Sequence, residues 1–430
     1  MTLSAVDGAA VLPRIRRLLG RSQTPYSILD QGLVSGLGFV TGIAAARLVG
    51  LEEFGRFAVV MIIGSLGQAV HNALIVAPVM SLAGTRRGTS PSFFASALAA
   101  TLLISVPLAL GVMGLLSALE IAEGKPIWTG FILATGALAI AQNLLFTVRR
   151  LLFAAGRGRD GLATDAVRGL LLASMLGLAW RFGPAVHVDT LVWALAAAAF
   201  IPAALAAQPL LRKARPARIR VRALTMRCWP IAKWMLPNVA MTFGQEQAVW
   251  LIVGAMLGDV AVGGLRGAQY VVSLAYPFLA ALENVAPVQA SRAYKQHGIA
   301  GLRGYIRRLL VVFSPMACGF PLLTALSADF WLKLFFGPTF QGYGTCLRIF
   351  ALVVLFVFVR DVLSYFFRAV QQTRVTFQAF AVSSAITMIV MVPLIWGGGV
   401  VGAAVAIAAG QGVSMLYLLA CMTRTWSTAR

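Results

Sequence analysis

The sequence predicts an all-α polytopic membrane protein of about twelve transmembrane helices, in two six-helix lobes related by a parallel pseudo-two-fold repeat. Three observations carry that prediction. The 430 residues are 59% hydrophobic and only 12% charged, against about 25% charged in soluble domains, and mean hydropathy is +0.84. Apolar runs of about 20 residues, each long enough to cross about 30 Å of hydrocarbon as a helix, recur along the whole chain. They are too continuously apolar for barrel strands, so helices must satisfy the backbone in lipid.

The third observation is an internal echo. Gly50 and Gly55 align with Gly258 and Gly263 at an offset of 208 residues, and Pro78 aligns with Pro287 at 209. The first copy ends Ala-Leu-Ile-Val-Ala-Pro-Val and the second Ala-Leu-Glu-Asn-Val-Ala-Pro-Val. A weaker echo relates Leu152-Phe153-Ala154-Ala155 to Phe366-Phe367-Arg368-Ala369. With six spans per copy the second re-enters in the same orientation, as in parallel-repeat transporters.

The predicted spans are 27–49, 55–79, 92–116, 127–147, 162–180, 188–210, 231–257, 262–286, 305–327, 345–366, 375–396 and 400–421. Their loops alternate in charge. One side takes most of the 36 Lys and Arg: Arg14 to Arg21, Arg86/Arg87, Arg149 to Arg159, Arg212 to Arg227, Arg292 to Arg308, Arg368/Arg374 and Arg424/Arg430. The other side holds only Arg47, Arg56, Lys125, Arg181 and Lys333. An excess of Lys and Arg marks the cytoplasmic side, so both termini are expected in the cytoplasm. No cleavable signal is apparent, and the first span is expected to stay in the membrane. The basic stretch from Arg212 divides the chain into a lobe of 1–211, a linker of 212–230 and a lobe of 231–430. The segment Leu12 to Leu19 reads as a short surface amphipathic helix.

This topology absorbs the net charge of +22, because the basic residues sit between spans and are not gathered on one face; nucleic acid is not an expected partner, while membrane lipids are. Cys228, Cys318, Cys346 and Cys421 are far apart and lack metal-ligand spacing, so they read as apolar fillers. No Walker A sequence, His/Cys metal spacing or Ser/His/Asp arrangement is found. Neither a catalytic residue, a metal nor a cofactor is expected, and the chain does not read as an enzyme.

Ionisable residues inside a bilayer face protein or water. Candidates are Asp30, Gln31 and Arg47 on span one; Gln68, His71 and Asn72 on span two; Gln142 and Asn143 on span four; and Asn238, Gln245, Glu246 and Gln247 on span seven. Span eight adds Arg266, Gln269, Glu283 and Asn284, and span ten adds Arg348, Arg360 and Asp361. Spans one, two, seven and eight are matched members of the two copies, so their polar faces suggest a hydrated cavity between lobes. The competing reading is interhelical hydrogen bonding or snorkelling. It weighs most for Asp30, Arg47, Arg348 and Asp361 near span ends, and least for Gln245 and Glu246 at mid-span. His71 reads as a packing or hydrogen-bonding residue, and Arg360 beside Asp361 as either functional or a self-neutralising pair.

The phrase Ala46-Arg47-Leu48-Val49-Gly50-Leu51-Glu52-Glu53-Phe54-Gly55-Arg56-Phe57 resembles the signature after the first span of Wzx-like polysaccharide and O-antigen flippases of the MOP superfamily. Gly258 to Arg266 resembles the second-copy segment, with Leu265 where an aromatic is usual. The resemblance implies a MATE/MOP-like fold in the bacterial inner membrane. It further implies alternating-access transfer of a polyprenyl-pyrophosphate-linked oligosaccharide from the inner to the outer leaflet, for exopolysaccharide, capsule or O-antigen biosynthesis. Polysaccharide polymerase and assembly proteins are the implied partners. Arg47, Arg266 and Arg360 would then meet pyrophosphate or acidic sugars, and Gln68, Asn72, Gln245 and Glu246 sugar hydroxyls. Asp30, Glu246 and Glu283 are the candidate coupling carboxylates of an alternative reading, an H⁺- or Na⁺-coupled multidrug or organic-cation antiporter. A membrane polymerase, ligase or scaffold is a third; polymerase or ligase activity calls for a long outer loop, and all of these are short. Lipid II flipping stays open, although the basic motif in the first span of that relative is not matched.

Overall fold

The computed structural model describes residues 24–83, 90–122, 124, 128–182, 187–212, 214, 219–370 and 372–427. The segment Leu12 to Leu19 lies outside them. Among the described residues there is no strand, and twelve long helical segments follow one another in the predicted order. One run, Thr24–His71, is broken at Gly50 into α1 (24–49) and the start of α2. A π-helical turn, Asn72–Val76, and Ala77–Ala83 complete α2. Then come α3 (Pro91–Ala122), α4 (Thr129–Ala154), α5 (Gly158–Phe182) and α6 (Val188–Leu211).

In the second copy α7 comprises Val221–Glu246 and, across Gln247, Ala248–Leu257. Helix α8 starts at Asp259 and continues past a break at Leu274 and Ala275 until His297 and Gly298 separate it from α9 (299–326). A short helix, Ala328–Phe336, and a 3₁₀ turn, Pro338–Tyr343, lead into α10 (Gly344–Ala369). The run Thr373–Ser427 is broken at Gly399 into α11 (373–398) and α12 (400–427).

Two elements differ from the hydropathy reading. Helix α7 begins at Val221, ahead of the predicted 231. Its first turns carry Arg222 and Arg227, which mask them in an apolar window, yet Leu224 and Cys228, four residues apart, are buried. The helix Ala328–Phe336 falls in a predicted loop, where Asp329 and Lys333 interrupt the apolar run.

The chain forms two compact units. The first takes the described residues of 1–38, 63–118 and 127–239, and the second those of 39–62, 119–126 and 240–430. In the first, Ile75, Phe94, Leu145, Leu152, Leu210 and Leu224 belong to one buried cluster built from α2, α3, α4, α6 and α7. Large apolar side chains nonetheless stand fully outward: Leu170 is 69% exposed, Trp180 78%, Ile389 71% and Trp396 86%. Exposure on that scale suits hydrocarbon rather than water, with the tryptophans near helix ends as in interfacial belts.

The second unit is organised around the repeated glycines. Gly50 has φ 80° and ψ 178°, and Gly258 has φ 80° and ψ 179°, a left-handed region that favours glycine. The matched positions thus make the same break. Five residues on, the copies meet. A β-carbon on Gly55 would collide with the carbonyl of Asp259, and one on Gly263 with that of Leu51. Since Leu51 and Asp259 are themselves 208 residues apart, the contact is reciprocal. Around it Arg56 pairs with Asp259 at 3.2 Å. Buried Phe54 packs on Phe57, Tyr270, Phe336 and Phe340, with ring centroids 5.9–6.2 Å apart.

Candidate functional site

A cavity of about 300 Å³ opens within the second unit, lined from α7, α8, α10, α11 and α12. One corner belongs to Arg266 of α8. Its guanidinium donates to Gln269 Oε1 at 2.8 Å and to Gln247 Oε1 at 3.0 Å, and lies 4.0 Å from the centre of the Trp250 ring. Gln269 is one helical turn from Arg266, so the two share a face. Gln247 reaches it from the single residue between the two pieces of α7. Among the described residues no carboxylate forms an ion pair with Arg266; two neutral amides and an aromatic face hold it.

The other arginine is treated differently. Arg360 of α10 donates twice to Asp361 Oδ1, at 3.0 and 2.7 Å, and once to Gln411 Oε1 at 2.5 Å. It sits 5.0 Å from the Phe380 ring centre. Neighbours in a helix do not normally face each other, yet here the two side chains meet. Its charge is therefore neutralised locally. Replacing Gln411 with Leu removes an acceptor for a charged donor, an interaction of about 1.5–3 kcal/mol. A lowered midpoint of thermal unfolding is expected, and an unchanged midpoint would show that the bond contributes nothing.

Another part of the lining is hydroxylic. Ser383, Ser384 and Thr387 line it from α11. Each donates its proton to a backbone carbonyl: Ser383 to Gly410 at 2.7 Å, Ser384 to Phe380 at 2.9 Å, Thr387 to Ser383 at 2.9 Å. Their oxygens are left as acceptors. Gly410 permits the approach, since a β-carbon there would meet the Thr387 hydroxyl. Phe350 and Tyr276 complete the aromatic part of the lining.

The first unit holds a second polar cluster, of another kind. Arg149 of α4 pairs with Asp30 of α1 and Asp165 of α5; the carboxylates are 5% and 0% exposed, the guanidinium 16%. Arg168 interacts electrostatically with Asp165 and Arg149. Two acids and two bases balance. Nearby, buried His71 Nε2 lies 3.4 Å from Thr101 Oγ1, itself 3.1 Å from Thr147 Oγ1, a hydrogen-bonding role as expected from the sequence.

No protein-family profile matches the chain, and no curated protein does. Solved structures do. An inward closed structure of the lipid II flippase MurJ matches with TM-score 0.61 and 15% identity over 93% of this chain and 87% of that one. An inward-facing multidrug resistance MATE family transporter of the MOP superfamily gives TM-score 0.60 and 15% identity over 95% and 96%. A MOP superfamily transporter from Pyrococcus furiosus gives 0.55 and 12% over 95% and 96%. The chain shares the fold of these solved transporters.

On this fold the structure brings Arg266 and Arg360 to one cavity and gives them Gln247, Gln269 and Gln411. Arg47 is elsewhere: its guanidinium donates to the carbonyls of Phe335, at 2.8 Å, and Leu334. Gln68 and Asn72 are half-buried on α2 in the first unit. Asp30 belongs to the Arg149 cluster. The side chains of Gln245, Glu246 and Glu283 lie outside the described part. Arg348 pairs with Asp329 at 3.2 Å. Sequence reasoning missed Trp250, Gln411 and the hydroxyl wall. The available signals were Ser383 and Thr387 at a four-residue spacing, and a lone Gln411 between Gly410 and Gly412 in an apolar run.

Proposed function

We propose that this chain is a flippase that moves polyprenyl-pyrophosphate-linked oligosaccharide from the inner to the outer leaflet of the bacterial inner membrane by alternating access. It would serve assembly of exopolysaccharide, capsule or O-antigen, working with a polysaccharide polymerase and assembly proteins, both of its termini in the cytoplasm. The observation that supports this reading best is the cavity in the second unit. Three glutamine amides, three hydroxyl oxygens, aromatic rings and two guanidiniums are the set a sugar chain with an anionic group would use. One solved protein of this fold is a lipid II flippase, so a lipid-linked substrate is within what the fold can carry. In this reading Arg266 and Arg360 meet substrate in the second unit, Gln68 and Asn72 in the first, with Gln245 and Glu246 as further sugar contacts. Arg47 contacts the anionic headgroup during passage.

Another solved protein of this fold is a multidrug resistance transporter, and ion-coupled cation antiport is the alternative reading. A cation carrier would present a carboxylate to its cargo, whereas among the described residues the cavity presents guanidiniums, and Asp30 is occupied by Arg149. The deciding experiment follows lipid-linked oligosaccharide in cells lacking the protein, with leaflet location read by an impermeant glycan label. Inner-leaflet accumulation, relieved when the protein is restored, is the expected outcome. Normal arrival in the outer leaflet, in cells without a redundant exporter, would overturn the reading and direct attention to cation efflux.

A further inference from the structure

The cavity of the second unit has two chemically opposed sides. At the Arg266 corner the glutamines are left as donors. Gln247 and Gln269 spend their carbonyl oxygens on the guanidinium and are left with amide N–H donors. Gln411 spends its own on Arg360. On the α11 wall the reverse holds: Ser383, Ser384 and Thr387 have committed their protons to carbonyls and offer lone pairs. A ligand that satisfies both sides needs an acceptor-only anionic group at one end and hydroxyl donors at the other.

Charge sets the anionic group. Arg360 is neutralised by Asp361, so it asks for no counter-charge. Arg266 is held, among the described residues, by neutral groups, and an uncompensated guanidinium inside a membrane protein is costly. Among the described residues the deficit is one negative charge. A carboxylate supplies that, is acceptor-only, and can be gripped in bidentate fashion. A pyrophosphate would bring at least one charge too many for this corner. Size agrees: about 300 Å³ is at the small end of ligand pockets, roughly 300–1,000 Å³, room for a sugar ring or two and not for a long chain. Phe350, Phe380 and Tyr276 also line the cavity and give the apolar C–H side of a pyranose somewhere to pack.

We propose that this cavity binds an acidic sugar of the transported oligosaccharide, its carboxylate on Arg266 and its hydroxyls on the Ser383–Ser384–Thr387 wall. The assignment rests on the flippase reading and narrows it: the substrate carries a uronic-type sugar.

The test uses the purified full-length protein in nanodiscs of uncharged lipid, with glucuronate, glucose, chloride and inorganic phosphate as probes at matched ionic strength. Glucuronate at tens of millimolar is expected to raise the thermal midpoint, while the other three leave it in place. Arg266→Gln should weaken the glucuronate effect at least about tenfold. Arg266→Lys, which keeps the charge and serves as the check should the glutamine variant fold poorly, should retain part of it. Equal stabilisation by glucose would make this a neutral-sugar site and overturn the proposal. Equal stabilisation by chloride or phosphate would make it a plain anion site and overturn it too, as would no response to glucuronate. The leaflet assay separates the two levels. Normal flipping without glucuronate binding removes only the acidic sugar; failure of the wild-type protein to move any lipid-linked unit removes the flippase reading, whatever glucuronate does.

Discussion

Gly55→Ala is expected to deplete the protein from the membrane and abolish transport, although it adds a single methyl group. That methyl would land on the carbonyl of Asp259, a backbone atom that cannot rotate aside, so the helices carrying the two copies of the repeat must separate. Overpacking a core typically costs about 1–3 kcal/mol, and a collision with backbone belongs at the top of that range or above it. Separation would also loosen the Arg56–Asp259 pair and the aromatic cluster around Phe54. Gly64→Ala is the matched control on the same helix: an added β-carbon there meets nothing within 4 Å. Replacing a helical glycine with alanine should stabilise by up to about 1 kcal/mol. Membrane-inserted protein and thermal midpoints of the two variants settle the matter; if Gly55→Ala behaves like Gly64→Ala, the close approach is not what holds this region together.

Arg149→Met should be nearly as damaging, and a second change should repair it. The substitution keeps most of the side-chain volume but strips the guanidinium from between two buried carboxylates, Asp30 and Asp165. Breaking a buried ion pair from one side costs about 3–5 kcal/mol, because the remaining charge is left without compensation. Arg168 still faces Asp165, so one surplus negative charge remains, and Asp30 carries it. Adding Asp30→Asn removes that surplus, so the double variant should recover most of the lost stability. A single variant as stable as wild type, or a double variant no better than the single, would contradict this account of the cluster.

How far the sequence could be read depended on whether a signal was local. Gly50 and Gly258 were paired by spacing alone, and their backbone angles agree within a degree; a break that only glycine tolerates leaves its mark in the sequence. Arg266, Gln269, Gln247 and Arg360 stood out because a polar group in an apolar run is itself anomalous. That the two arginines share a cavity, and that among the described residues only one has an acid of its own, depends on how α8 and α10 pack. No periodicity encodes that. Arg149 illustrates the opposite failure: counted among basic loop residues, it is in fact mostly buried between α1 and α5. Loop charge reports orientation and says nothing about burial, and its partner Asp165 looks like an ordinary residue at the start of a span.

The reciprocal meeting of Gly55 with Asp259 and of Gly263 with Leu51 has the form of an interface between identical subunits, where residue i touches j and j touches i. Each copy carries both the notch and the ridge. A half-length ancestor holding one copy would therefore have been self-complementary, able to form a homodimer before any duplication joined its halves. Fusion of two such copies would free each to diverge away from that joint, so that one half could hold the Arg266 pocket and the other the Arg149 cluster, while the joint itself stays bound by symmetry.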